Sequence, residues 1–248
     1  MKVHLSRWVC LDVDLNLRRA ELETEEAALG GARLVVFPES FLNGYTRQVD
    51  PATVRATFKR ASQKHPDALI IFGSFTEERR NRMTAWWRGR EVARYDKVHL
   101  FNPNREEDLW EPGDSYSALR FEGLTIGLMN CNDLRFPEQA RMLKLKAGCD
   151  MLVVAAWWPW RRDHIWRRLL QARAVENAAW VLGCCISASQ YPGEPFAGAG
   201  NYVFSPEGEE VRTADDRSYT LDLEGVPPPV VDPTEAYRHV EKIDVFEL

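Results

Sequence analysis

The stretch "LTIGLMNCNDLRFPE" (residues 124–138) decides the fold. An apolar, β-type run from Leu124 to Asn130 stops at Cys131, and Pro137-Glu138 then opens a helical pattern that continues to Lys146. A strand that ends in a tight turn before a helix is the repeating unit of an α/β protein. Such a turn also lifts the side chain at its apex out of the sheet. Cys131 is therefore either a small buried hydrophobe, the commoner fate of a free cysteine, or a presented nucleophile.

The same alternation extends in both directions. Upstream lie "KVHLSRWV", a helical pattern over 14–30, "ARLVVF" (32–37), a second helical pattern over 51–64, and "ALIIFGSF" (68–75). "MTAWW" (83–87) and "EVARY" (91–95) read as a hairpin turning at Arg88-Gly89-Arg90. After a polar loop over 101–118, the segment above is followed by the wholly apolar "MLVVAA" (151–156) and a helix near 163–178. "WVLGCCIS", "NYVFSP" and "EVRTA" add further strands, the last two joined across Pro206-Glu207-Gly208. Roughly ten to twelve strands are more than one twisted sheet holds comfortably, which points to two stacked sheets covered by helices. The proline-rich "VPPPVVDP" (226–233) can continue neither a ladder nor a helix and predicts an extended tail.

With 248 residues, 45% hydrophobic and 28% charged, the chain suits one domain over 1–248, with 226–248 as its C-terminal tail. A net charge of −5 argues against nucleic acid and anionic membranes as partners. The longest apolar run, 151–160, is about half of a membrane span. Asp12 and Asp14 interrupt the N-terminus before a signal-peptide core can develop, so a cytoplasmic location is expected. Five cysteines without a C-x-x-C pair read as reduced thiols, and five scattered histidines give no metal cluster; no metal is expected.

Three strand ends carry groups able to do chemistry. "ARLVVFPES" places Glu39 where a buried strand emerges, a position where a partly desolvated carboxyl can serve in proton transfer or simply sit in a solvated loop. "ARYDKVHLF" places Lys97 on an outgoing strand with His99 on the same side, a pattern equally common for a surface lysine. Beyond Cys131, the N–H groups from Asn132 onward approach a helix start and can receive a developing negative charge.

In this order, "LVVFPE", "YDKVHLF" and "CNDLRFPE" resemble the nitrilase superfamily of carbon–nitrogen hydrolases. Asp14-x-Asn16, "GARLVVFPE" (31–39), "LLQARAVEN" (169–177) and "GNYVFSPEGE" (200–209) extend the likeness over nearly the whole chain. The resemblance implies a four-layer α-β-β-α sandwich and a Glu-Lys-Cys set: Cys131 as nucleophile, Glu39 as general base, Lys97 as the cation stabilising the tetrahedral intermediate. A second glutamate in the loop after the lysine falls on Glu106, with Glu107 adjacent. The implied reaction is hydrolysis of a small carboxamide through a thioester, releasing ammonia, with no cofactor.

Within the superfamily, "AAWWPWRRDHIWRRLLQARAVEN" (155–177) is similar to the omega-amidase-like branch. Cys131-Asn132-Asp133 is similar to N-carbamoyl amino acid hydrolases, which leaves that reaction as the alternative. A nitrile substrate, a Cys-His site using His99 or His164, and a non-catalytic scaffold are the remaining readings. Asn132, Trp157 and Arg161 are the candidate substrate contacts. Trp158, Trp160 and Trp166 could line an apolar pocket or fill core, and Arg161 or Arg162 could meet a substrate carboxylate. The resemblance also implies a homodimer, with 137–146 and 163–178 as candidate contact helices.

Overall fold

The computed structural model describes residues 1–223 and 237–238. In chain order its elements are β1 (Lys2–Leu5), β2 (Val9–Cys10), α1 (Val13–Leu29), β3 (Leu34–Val36), α2 (Pro51–Lys64), β4 (Leu69–Glu77), β5 (Arg80–Trp87), β6 (Arg90–Asp96), α3 (Glu106–Leu109), β7 (Ser117–Phe121), β8 (Leu124–Asn130), α4 (Pro137–Ala147), β9 (Met151–Ala156), α5 (Asp163–Asn177), β10 (Trp180–Cys185), β11 (Ala188–Ser189), β12 (Phe196–Ala197), β13 (Tyr202–Phe204), β14 (Glu210–Val211) and β15 (Ser218–Thr220).

Two six-stranded sheets carry the fold, in the orders β15-β1-β3-β4-β5-β6 and β14-β13-β10-β9-β8-β7. In each the central strands are parallel (β1, β3, β4 and β8, β9, β10) and the outer ones antiparallel. Because side chains alternate along a strand, each central strand serves two cores. Leu34, Val36, Leu69 and Ile71 join Ile126, Leu128, Met151 and Val153 between the sheets, while Val35, Ile70, Leu152 and Val154 face outward into the helix-side core. This double burial is why the strands read as unbroken apolar runs. Helices α1 and α2 cover one sheet, α4 and α5 the other, giving the expected four-layer α-β-β-α sandwich.

Capping residues set the helix ends. Asp12 and Asp50 accept the first free N–H groups of α1 and α2, and Gly148 closes α4 in the left-handed conformation. The hairpin between β5 and β6 turns on Arg88 and Gly89, both at positive φ.

Three expectations need correction. "KVHLSRWV" is not one strand: it divides into β1, in a large sheet, and β2, which joins β11 and β12 in a separate three-stranded sheet. Ser6 and the buried Trp8 sit at the break, where the Trp8 indole donates to Phe41 O. The loop over 101–118 is not uniformly irregular, since it holds a short 3₁₀ turn at Asn102–Asn104 and helix α3. The strands number fifteen among the described residues, above the expected ten to twelve, because several two- and three-residue edge strands leave no periodic signal. The expected tail lies outside the described residues apart from the exposed Tyr237 and Arg238.

One glycine fixes the approach to the site. Gly73 sits at a bulge between Phe72 and Ser74 of β4, and a Cβ there would lie 1.7 Å from the Pro38 carbonyl oxygen. Ser74 Oγ in turn accepts from the Ser40 N–H at 2.9 Å, so the bulge clamps the residues on either side of Glu39. Gly73→Ala should lower stability by about 1–3 kcal/mol, as overpacking does, and reduce turnover by displacing Glu39. Urea midpoints and kcat measured on the same preparation test this; a fully active variant would show that the clamp is dispensable.

Candidate active site

The carboxyl ends of β3, β8 and β9 converge, and the chain leaving each delivers one side of the site. Cys131 follows β8 at φ +50°, a left-handed conformation that is costly for a residue with a Cβ. Buried hydrogen bonds hold it there. Asp133 accepts from the N–H of Asn130 (2.8 Å), the Tyr95 hydroxyl (2.7 Å), the N–H of His99 (3.0 Å) and His99 Nδ1 (2.9 Å). Arg173, from α5, donates to Leu134 O at 2.8 Å. The turn carrying the thiol is thus tied to the end of β6 and to the helix layer.

Glu39, Lys97 and Glu106 meet in a fully buried cluster beside Cys131. Lys97 Nζ lies 2.8 Å from Glu39 Oε1 and 2.8 Å from Glu106 Oε2. Glu39 also accepts from Asn81 Nδ2 (2.9 Å) and, through its other oxygen, from the Trp157 N–H (2.8 Å). Glu106 accepts from the Phe101 N–H (2.8 Å) and the Tyr45 hydroxyl (3.2 Å). Glu107, its neighbour, points to solvent.

The electrostatics follow from this packing. Desolvation favours a neutral amine at Lys97, but the carboxylates of Glu39 and Glu106 outweigh it and hold the ammonium well above the usual lysine range. Burial, with a further contribution from Glu39, pushes Glu106 above the ordinary carboxyl value despite Lys97. Burial and the Glu39 carboxylate push the Cys131 thiol far up, against the pull of Lys97. The resting site therefore holds a thiol, its Sγ donating to Trp157 O at 3.8 Å, beside a carboxylate able to take its proton.

A cavity of about 230 Å³ opens over the cluster, lined among others by Tyr45, Glu106, Cys131, Trp157, Trp158 and Phe196. The remaining expected residues divide. Asn132 and Arg161 line the cavity, but the Asn132 amide is spent on the carbonyls of His99 and Leu100, leaving its main-chain N–H as its contribution. Trp157 and Trp158 are walls, Trp160 is exposed, and Trp166 is core, its indole donating to Gly200 O. His99 stacks on Phe136 and points its Nδ1 at Asp133, and His164 is exposed on α5, so neither is set against the sulfur. Tyr45, Asn81 and Arg173 were not anticipated; "QARAVEN" contains Arg173, but nothing local to Tyr45 or Asn81 marks them.

The other four thiols belong to the packing, and burial raises all of them, Cys149 and Cys185 to about 12. Free thiols ionise near about 8.5, so between about pH 8.5 and 12 the unfolded chain binds fewer protons than the folded one. Stability should therefore be unaffected by these groups below about pH 8 and fall as pH rises above about 8.5, measured as urea midpoints across that range. Replacing Cys149 by Ala should flatten the fall.

A thiol, two carboxylates and an ammonium group thus meet at the strand ends of a four-layer sandwich. The chain belongs to the carbon-nitrogen hydrolase family, whose model matches residues 4–221, and is an enzyme of that class acting on non-peptide C–N bonds. It is 31% identical over 215 residues to the omega-amidase YafV of Escherichia coli K12, covering 84% of this chain and 81% of that one. It is 28% identical to the 2-oxoglutaramate amidase of Bacillus subtilis, over 76% and 79% of the two chains. Its fold matches the NitN amidase of Nesterenkonia sp. AN1 with a TM-score of 0.80 at 22% identity, over 96% and 95% of the chains.

Proposed function

We propose that this protein hydrolyses a small carboxamide to a carboxylic acid and ammonia through a Cys131 thioester, with Glu39, Lys97 and Glu106 completing the machinery. The observation that carries this reading is the Lys97 ammonium held between two buried carboxylates beside a thiol at the floor of a cavity. The omega-amidase and 2-oxoglutaramate amidase relatives support the amide as substrate class.

As Cys131 Sγ attacks the carbonyl carbon, its proton passes to Glu39, and the carbonyl electron pair becomes an oxyanion. Lys97 and the N–H of Asn132 receive that charge, each such donor being worth about 2.7–4 kcal/mol where one has been removed elsewhere. Glu39 then returns the proton to the departing nitrogen, which leaves as ammonia. Water, deprotonated by Glu39, attacks the thioester and regenerates the thiol. Glu106 holds the Lys97 ammonium in place and is itself fixed by Tyr45 and Phe101. Trp157 forms the pocket wall, and Arg161 at the mouth meets a carboxylate on the substrate.

Ammonia release from amides of glutamine-like and 2-oxo acids, N-carbamoyl amino acids and nitriles, with Cys131→Ala as the blank, tests the reading. Ammonia from amides is expected; faster turnover of carbamoyl compounds with carbon dioxide release would transfer the site to the alternative chemistry. The match of one family model over residues 4–221 supports a single catalytic unit, the five free thiols support work in the cytoplasm, and no helix among the described residues is long and apolar enough to cross a membrane. Exposed Phe136, Met142 and Val175 on and beside α4 and α5 support pairing of two copies through that face.

A further inference from the structure

Three arginines, Arg135, Arg161 and Arg162, line the mouth of the cavity, and none forms an ion pair among the described residues. Arg47, Arg55, Arg82 and Arg173, by contrast, each have a carboxylate partner. Two of the mouth guanidiniums are fixed on aromatic faces, Arg135 over Trp158 at 4.6 Å and Arg162 over Phe101 at 5.3 Å. Arg162 Nε is buried with no hydrogen-bond partner, and burial together with Arg135 and Arg161 holds this guanidinium below its ordinary value. The nearest acid on α5, Asp163, is turned away to the Gly200 N–H and the Tyr202 hydroxyl.

The cavity lining presents three guanidiniums against one carboxylate, Glu106, which Lys97 already pairs, so the rim is cationic. A single carboxylate, held bidentately by Arg161, neutralises one guanidinium and leaves the Arg135–Arg162 pair still in mutual repulsion.

We infer that the site selects amides whose far end bears two negative charges, with Arg135 and Arg162 as the specificity-determining pair for the second charge. This rests on the amidase reading above and sharpens it. The two charges can come from paired carboxylates or from a phosphate-like group; both offer the oxygen acceptors that a guanidinium fork fits. The distal charge binds while the amide carbon sits at Cys131, so charge selection acts on the bound orientation as well as on affinity.

A matched set of amides on one two-carbon chain tests this at pH 8: butyramide (neutral), succinamate (one charge) and, with two charges, 3-phosphonopropionamide and 2-(carbamoylmethyl)malonate, which distinguish a phosphate-like group from paired carboxylates. We expect kcat/KM to rise about tenfold at each step and the second step to shrink as sodium chloride is raised. In Arg162→Gln and Arg135→Gln the ratio of phosphonate to carboxylate turnover should fall about tenfold, and Arg162→Lys should restore part of it. Turnover of both doubly charged amides equal to or below that of succinamate in the unaltered enzyme, or an unchanged ratio in both Gln variants, overturns the proposal. Calorimetry of the same compounds on Cys131→Ala protein separates the two readings. The same charge order in binding with no ammonia from any amide would sustain the anion site and sink the amidase, whereas ammonia release indifferent to charge would do the reverse.

Discussion

Cys131→Ala should abolish ammonia release, by at least about 10⁴-fold, while the protein stays folded. The side chain faces the cavity and is 7% exposed, so its removal leaves no large void in the packed core. Cys131→Gly sharpens the test. The left-handed backbone at this position, φ +50°, strains any residue with a Cβ and suits glycine. The glycine variant should therefore be as inactive as the alanine one yet more stable, since relief of about 1–3 kcal/mol of strain outweighs the about 0.4–1 kcal/mol of entropy that glycine adds to the unfolded chain. Urea denaturation with ammonia assays on both variants checks the pair of outcomes; activity surviving in either would remove Cys131 from the chemistry. Glu39→Gln should be comparably inactive, because the amide cannot accept the thiol proton.

Lys97→Met should cost both fold and function. It removes the cation 2.8 Å from each of two buried carboxylates, and breaking a buried pair by deleting one partner costs about 3–5 kcal/mol. Turnover should fall by at least about 10³-fold, since the oxyanion loses its charged donor. The pH dependence has a definite sign. Without Lys97, Glu106, already raised by burial and by Glu39, must rise further, so the folded variant binds a proton that the unfolded chain releases. The stability deficit should therefore shrink as pH falls from about 7 toward 5 and widen as pH rises. Adding Glu106→Gln to Lys97→Met should recover part of the stability and none of the activity. A Lys97→Met protein of normal stability at pH 8 would mean that the cluster is not the tight charged unit described above.

Local patterns made much of the molecule legible. The apolar runs 124–130 and 151–156 coincide with β8 and β9, and the pattern over 51–64 with α2, because strands buried on both faces and a capped amphipathic helix write their periodicity directly into the residues. Short edge strands such as β12 and β15 were not legible, since two or three residues carry no period. Glu39, Lys97 and Cys131 stood out because each ends a strand inside a motif. Tyr45 and Asn81 did not, because their importance lies in hydrogen bonds to Glu106 and Glu39, which are 61 and 42 residues away in the chain.

By itself, the sequence determined which residue types stand at the strand ends and that strands and helices alternate into a layered α/β chain, because both depend on local spacing. Only the tertiary structure decided that Glu39, Lys97 and Glu106 share one buried cluster, that Trp166 is core while Trp157 is wall, and that three arginines without carboxylate partners rim the cavity. Those facts depend on distances between segments far apart in the chain, and such distances are fixed by how the two sheets stack.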